Sequence, residues 1–161
     1  LRAVSRSLAA TAITGTAAEL ATLKAAIDAG QVTIAADVPV TITDIPTLAQ
    51  LATIDAMTTG AVSYTSVSGA IADLLSSAYI TGTENVTVTG GATITQLFTL
   101  DGLTSGTLSY TVSDTAANLI ANSGGYVTAA SATVTGAATA AGRAVWPRYA
   151  PAPRRPASIR R

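Results

Sequence analysis

Residues 40–51, VTITDIPTLAQL, and residues 86–97, VTVTGGATITQL, align without a gap at a shift of 46 residues. Gln50 and Gln96, Gly60 and Gly106, and Tyr64 and Tyr110 keep that shift. A third, partial copy starts at Thr133 with TVTGAAT, again 46 residues after Thr87. Tandem repetition limits the folds open to a chain, because one repeat cannot bury its apolar face alone and must share it with its neighbours. A stack of units is therefore expected, rather than a globule built around one centre.

Within each repeat the sequence has a shorter beat. Strand-like segments start at Val40, Val62, Val86, Leu108 and Thr133, with spacings of 22, 24, 22 and 25 residues. Each alternates branched and hydroxyl residues (VTIT, VSYT, VTVT, LSYT, TVTG), which fits a pleated strand with one buried face. Two further short strands are expected over residues 32–34 and 38–43, and Pro39 places the start of the second at an edge or after a bend.

Helix-like segments alternate with the strands. A helix is expected over residues 16–29, with Leu20, Leu23 and Ile27 on one face and Gly30 at the C-terminal cap. Ile94, Leu97, Leu100 and Leu103 recur every three positions, as do Leu48, Leu51, Ile54 and Met57, which predicts short, tight helices. Residues 14–20 (TGTAAEL), 68–74 (SGAIADL) and 113–119 (SDTAANL) are one motif written three times. Its opening Ser or Thr reads as an N-cap, so Ser68 and Ser113 are assigned that role, and Thr16 with Glu19 fits a capping box. The fold class expected is α/β: a repeat solenoid of short parallel strands alternating with short helices, in units of about 22–25 residues, a mostly-β solenoid being the alternative. Strands separated by helices should lie side by side and parallel, with right-handed connections.

Composition removes most catalytic apparatus. The chain of 161 residues has no Cys and no His, which excludes disulfides, Cys/His metal sites, thiol nucleophiles and imidazole bases. No run of about 18 apolar residues occurs, so no membrane-spanning helix is expected. The formal net charge of zero hides two opposed parts. Residues 143–161 carry six arginines and no acid, whereas residues 1–142 hold three cations against nine acids, a balance of −6. Three segments follow: residues 1–11, a cut end of a preceding repeat or a leader; residues 12–142, the repeats; and residues 143–161, a basic tail rich in Pro and Arg, read as disordered.

The motif at 112–119 (VSDTAANL), its relatives at 13–20 and 67–74, and the companions TLAQLATIDA at 47–56 and TITQLFTLDG at 93–102 resemble repeats of very large secreted bacterial surface proteins. Those proteins are grouped with repeats-in-toxin-type adhesins and surface-layer proteins, and the resemblance covers about residues 12–140. It implies a non-enzymatic, extracellular or cell-surface role as a spacer, an adhesin stalk or a self-assembling lattice unit. It also implies association end to end or with further repeats of a parent protein. Members of that group often bind calcium through glycine-aspartate nonapeptides, but here Gly90-Gly91 and Gly124-Gly125 are not followed by Gly-x-Asp. The basic, proline-rich C-terminus also differs from the usual type I secretion signal.

Few residues are left as candidates for chemistry. Asp55 and Asp101 are equivalent under the shift, and Asp44 and Asp114 follow strands where loops begin. The four are the candidate ligands for calcium, which takes six to eight oxygens; the alternative is helix capping and solubility. Otherwise no cofactor is expected. Arg143, Arg148, Arg154, Arg155, Arg160 and Arg161 are candidate contacts for an anionic glycan or lipid. Nucleic acid is not expected as a partner. The principal alternative function is a binding module for a polyanion, a glycan or ice. The repeated T-x-T pattern could order surface water, although helices are expected to cover at least part of that face.

Overall fold

The computed structural model describes residues 6–128 and 132–135, so the arginine tail and its six candidate contacts lie outside the described residues. The chain is α/β. In order it forms β1 (Arg6–Ser7), β2 (Ile13–Gly15), α1 (Ala17–Asp28), β3 (Val32–Thr33), β4 (Val40–Ile42), α2 (Leu48–Asp55), β5 (Val62–Ser63) and β6 (Ser66–Ala70). It continues with α3 (Ile71–Leu75), β7 (Asn85–Ala92), α4 (Ile94–Asp101), β8 (Leu108–Asp114), α5 (Ala116–Ala121) and β9 (Ala132–Val134).

All strand pairing is parallel, in sheets ordered β1-β3, β2-β4-β5 and β6-β7-β8-β9, none of them a closed barrel. Val40 pairs with Val62 and Val86 with Leu108, so the 46-residue shift relates strand pairs as well as strands. A single bridge between Thr47 and Ser68 links the second sheet to the third. Pro39 lies just before β4, a central strand, and its carbonyl accepts the Ile13 amide at 2.9 Å. The missing proline N–H therefore falls at a bend and not at an edge.

Alternation decides which strand face is buried. Val40, Ile42, Val67, Val86, Val88 and Val112 point inward, and all six are at most 6% exposed. Leu20, Leu51, Ile54, Leu74, Leu97 and Leu100 from α1 to α4 meet them, each at most 2% exposed, in one continuous core. The pattern read at 94, 97 and 100 is thus the inner face of α4, but the helix is a regular α-helix ending at Asp101, and Leu103 beyond it is 41% exposed.

Helix starts follow a shared rule. Thr16, Thr47 and Thr93 each accept the amide of the third helical residue, and Glu19, Gln50 and Gln96 return a bond to the cap amide at 2.9, 2.9 and 3.0 Å. Thr115 caps α5 in the same way, but Asn118 turns instead to Asp114 at 2.7 Å. Ser68 and Ser113 are not N-caps. They lie within β6 and β8, and α3 starts from Ala70 with no side-chain cap. The ladder outcompetes capping there: the Ser68 amide donates to the Pro46 carbonyl at 2.8 Å, and the Ser68 hydroxyl donates to the same oxygen at 3.2 Å.

A second repeated device, present at two places 46 residues apart, ties a strand-helix unit to the one before it. In Thr58-Thr59-Gly60 the Thr58 hydroxyl donates to the Val38 carbonyl at 2.5 Å, and the Thr59 amide and hydroxyl donate to the Ala36 carbonyl at 2.6 and 3.0 Å. Forty-six residues later, in Thr104-Ser105-Gly106, the Thr104 hydroxyl donates to the Glu84 carbonyl at 2.7 Å, and the Ser105 amide and hydroxyl both donate to the Gly82 carbonyl at 2.9 Å. The glycines are required by closeness of approach, since a β-carbon at Gly60 or Gly106 would run into the backbone at 37–38 or 84–85.

Candidate functional site

The four candidate aspartates occupy separate places. Asp44 accepts the Ala17 amide, the first N–H of α1, at 2.7 Å. Asp114 accepts the Ile94 amide, the first N–H of α4, at 2.9 Å, together with the Thr115 amide and the Asn118 side chain at 2.7 Å each. Each thus caps a helix from the unit before its own, where the helix dipole favours a negative charge. The Ile94 amide, then Asn118 and Thr115, hold the Asp114 carboxyl below the usual carboxylate range.

Asp55 and Asp101 meet tyrosines. The Tyr79 hydroxyl donates to Asp55 at 3.5 Å and the Tyr126 hydroxyl to Asp101 at 3.0 Å. Tyr64 and Tyr110, the pair related by the repeat, donate to the carbonyls of Tyr79 and Tyr126 at 2.7 and 3.3 Å. Burial, then the Asp101 hydrogen bond, push the Tyr126 phenol up. Among the described residues no group of three or more His, Cys, Asp or Glu side chains could hold a metal ion. Asp44, Asp101 and Asp114 are thus each engaged by different partners, and Asp55 lies at the edge of hydrogen-bond reach of Tyr79.

Glu84 was not singled out by the sequence reading. Its carboxylate accepts the amides of Thr81, Gly82 and Thr83 at 2.9, 3.0 and 3.1 Å, and also the Thr81 hydroxyl. Burial raises its pKa, but the Thr81 hydroxyl and these amides outweigh that and lower it to about 2. The Thr-x-x-Glu spacing of residues 81–84, the same as in the helix capping boxes, is the signal that marks it.

The strands present a second surface with a different character. Residues alternating with the buried valines form register-paired rows, Thr14-Thr41-Ser63 and Ser68-Thr87-Ser109. Thr14, Thr41, Ser63 and Ser109 are exposed, and Ser68 and Thr87 are half-buried. This corrects the expectation that helices cover the hydroxyl face: α1 to α4 pack on the valine face, since only that face offers apolar area to bury. An open, mainly apolar cleft of about 290 Å³ lies elsewhere, between α4 and the loop after α5, lined by Ile94, Thr95, Phe98, Ser123 and Gly124.

No helix among the described residues is long and apolar enough to cross a membrane. Compared with known proteins, the chain matches no family model, no curated protein and no solved structure.

Proposed function

We propose that the chain is a non-enzymatic structural repeat module, a solenoid segment of a bacterial extracellular or cell-surface protein that serves as a spacer, an adhesin stalk or a self-assembling unit. The observation that carries this reading is the Thr-Thr/Ser-Gly turn. At the same place in successive repeats it hydrogen-bonds to the backbone of the preceding unit. Stability in such a chain resides in contacts between neighbours, as in a linear stack.

Two further features support it. Helix-capping aspartates reach back to the previous unit, so even the charged residues serve unit-to-unit contact. Of the carboxylates that a catalytic mechanism without His or Cys would need, Asp44, Asp101 and Asp114 are engaged separately by amides or a phenol. In this reading the arginine tail adds attraction between the acidic body of one copy and the tail of the next, or contacts an anionic glycan or lipid.

Electron microscopy of the purified full chain across a concentration series, with and without calcium, tests the proposal. Fibres or sheets that persist after removal of residues 143–161 are expected. Dispersed short particles under every condition would refute self-assembly. Assembly only with calcium would favour the four aspartates as its ligands.

A further inference from the structure

We infer that the apolar cleft beside Phe98 is the docking site for the chain's own C-terminal segment, residues 143–150, with Trp146 as the side chain that fills it. This goes beyond the scaffold reading and does not depend on it. The last described residue, Thr135, is held beside the cleft. Its amide donates to the Asp114 carbonyl at 2.8 Å, and the carboxylate of the same aspartate accepts the amide of Ile94, a cleft residue, at 2.9 Å. Trp146 stands 11 residues after Thr135, and a stretch of that length spans up to about 36–40 Å when extended. A tether this short holds its ligand at an effective concentration on the order of millimolar.

Cleft and segment both depart from the repeat, and in complementary ways. Phe98, the chain's only phenylalanine, is 68% exposed on α4, and Ile120 on α5 is 72% exposed. One repeat earlier the place of Phe98 is taken by Ala52, so this apolar wall belongs to the copy nearest the tail. Under the same shift, Arg143 stands at the place of the fully buried Leu97, and Pro147 at that of Asp101. An unpaired charge does not enter an apolar core, so the sequence from Arg143 does not supply a further copy of α4. Its Val145, Trp146 and Tyr149 need another apolar surface. The cleft, of about 290 Å³, has room for one large side chain, and an aromatic ring of that kind buries about 150–250 Å².

Charge narrows the occupant further. Residues 25–142 hold every acid of the chain except Glu19, and no Lys or Arg, while the segment that follows is purely basic. Asp101, exposed at the end of α4, accepts the hydroxyl of Tyr126, whose ring lies beside Gly124 in the cleft wall. A carboxylate has about four acceptor positions, so Asp101 can also take Arg148, two residues beyond Trp146. Other occupants fit less well. A body of this sign repels an anionic lipid surface. A second copy would bury too little, since five residues line the cleft and a stable interface uses about 20–30 a side.

Trp146 is the chain's only tryptophan, so the intrinsic fluorescence of the full chain reports the docking. The wild type is compared with Phe98→Ala, Thr95→Lys and the control Ile45→Ala, which removes an exposed apolar side chain that does not line the cleft. At low protein concentration the wild type is expected to emit to the blue of N-acetyltryptophanamide and to resist quenching by acrylamide. Phe98→Ala and Thr95→Lys should move both readings to those of the solvated amide, and Ile45→Ala should leave them unchanged. Phe98 and Thr95 are exposed, so both variants keep the fold, which far-UV circular dichroism verifies. Solvated emission from the wild type overturns the inference. So does equal loss in Ile45→Ala, unchanged protection in both folded cleft variants, or protection that appears only as protein concentration rises, which would place the segment on another copy.

Discussion

Replacing Gly106 with alanine tests the unit-to-unit turn directly. Gly106 does not have a left-handed φ, so alanine meets no backbone strain there. Its β-carbon would instead stand 2.8 Å from the Asn85 amide nitrogen and closer still to the Glu84 carbonyl. Both are backbone atoms of the preceding unit and cannot swing away as a side chain can. Overpacking of a rigid site costs about 1–3 kcal/mol. Retreat of the turn weakens the Thr104 and Ser105 bonds to Glu84 and Gly82, each worth about 1 kcal/mol net. Lower chain entropy in the unfolded state offsets about 0.4–1 kcal/mol. The expected loss is about 2–3 kcal/mol, which lowers a urea midpoint by roughly 1–3 M at a slope of about 1–2 kcal/mol/M. Gly102→Ala is the internal control: Gly102 has φ −72 and ψ −13, and its added carbon meets only ordinary contacts from 3.4 Å outward. That variant should be neutral or slightly stabilised. Coincident midpoints for Gly106→Ala and Gly102→Ala would refute the claim that the turn binds one unit to the next.

Thr104→Val keeps the shape of a buried side chain but leaves the Glu84 carbonyl and the Gly106 amide without their partner; a loss of about 2–3 kcal/mol by urea titration is expected, with a smaller loss for Thr58→Val in the more exposed copy. The fold lowers the pKa of Glu84 from an ordinary 4.5 to about 2. A lowered pKa means that its stabilisation is complete above the unfolded value and disappears as pH falls through the folded one. Thermal melts should therefore show stability dropping between about pH 4.5 and 2, and Glu84→Gln should flatten that part of the curve while costing about 1–2 kcal/mol at neutral pH. Tyr126→Phe removes a 3.0 Å bond to Asp101, and Tyr79→Phe one of 3.5 Å to Asp55. The first should cost about 1 kcal/mol and the second close to nothing, and equal melting temperatures for the two would contradict the assignment of a real bond to Tyr126 alone.

The architecture was legible in the sequence where local pattern and tertiary pairing agree. The starts of β4, β5 and β8 at Val40, Val62 and Leu108 follow from alternation alone, as does α1 from its Leu and Ile stripe and capping box. Ser68 and Ser113 were misread because Ser followed by a small residue serves equally as a cap or as a strand residue. What decides is a neighbouring strand some 20 residues away, such as the carbonyl of Pro46 beside Ser68. The partners of the aspartates were hidden for a similar reason. A shift of 46 aligns Asp55 with Asp101, but their partners Tyr79 and Tyr126 lie 24 and 25 residues further on, and nothing local announces them. The hydroxyl rows were visible as T-x-T, whereas their exposure depends on which face the helices chose.

The unequal helices carry a consequence for how such a chain changes length. Ile13 pairs with Val40, 27 positions on, whereas Val67 pairs with Val86, only 19 on, and both pairs belong to in-register parallel ladders. Most of the difference is taken up in α1, with 12 residues against 5 in α3. The outer layer therefore acts as a buffer in which insertions and deletions accumulate while the ladder beneath keeps its phase. A foreign peptide grafted between β2 and β4 would be displayed on the outside without disturbing the strands that flank it, and genetic drift in this chain should record itself first in helix length.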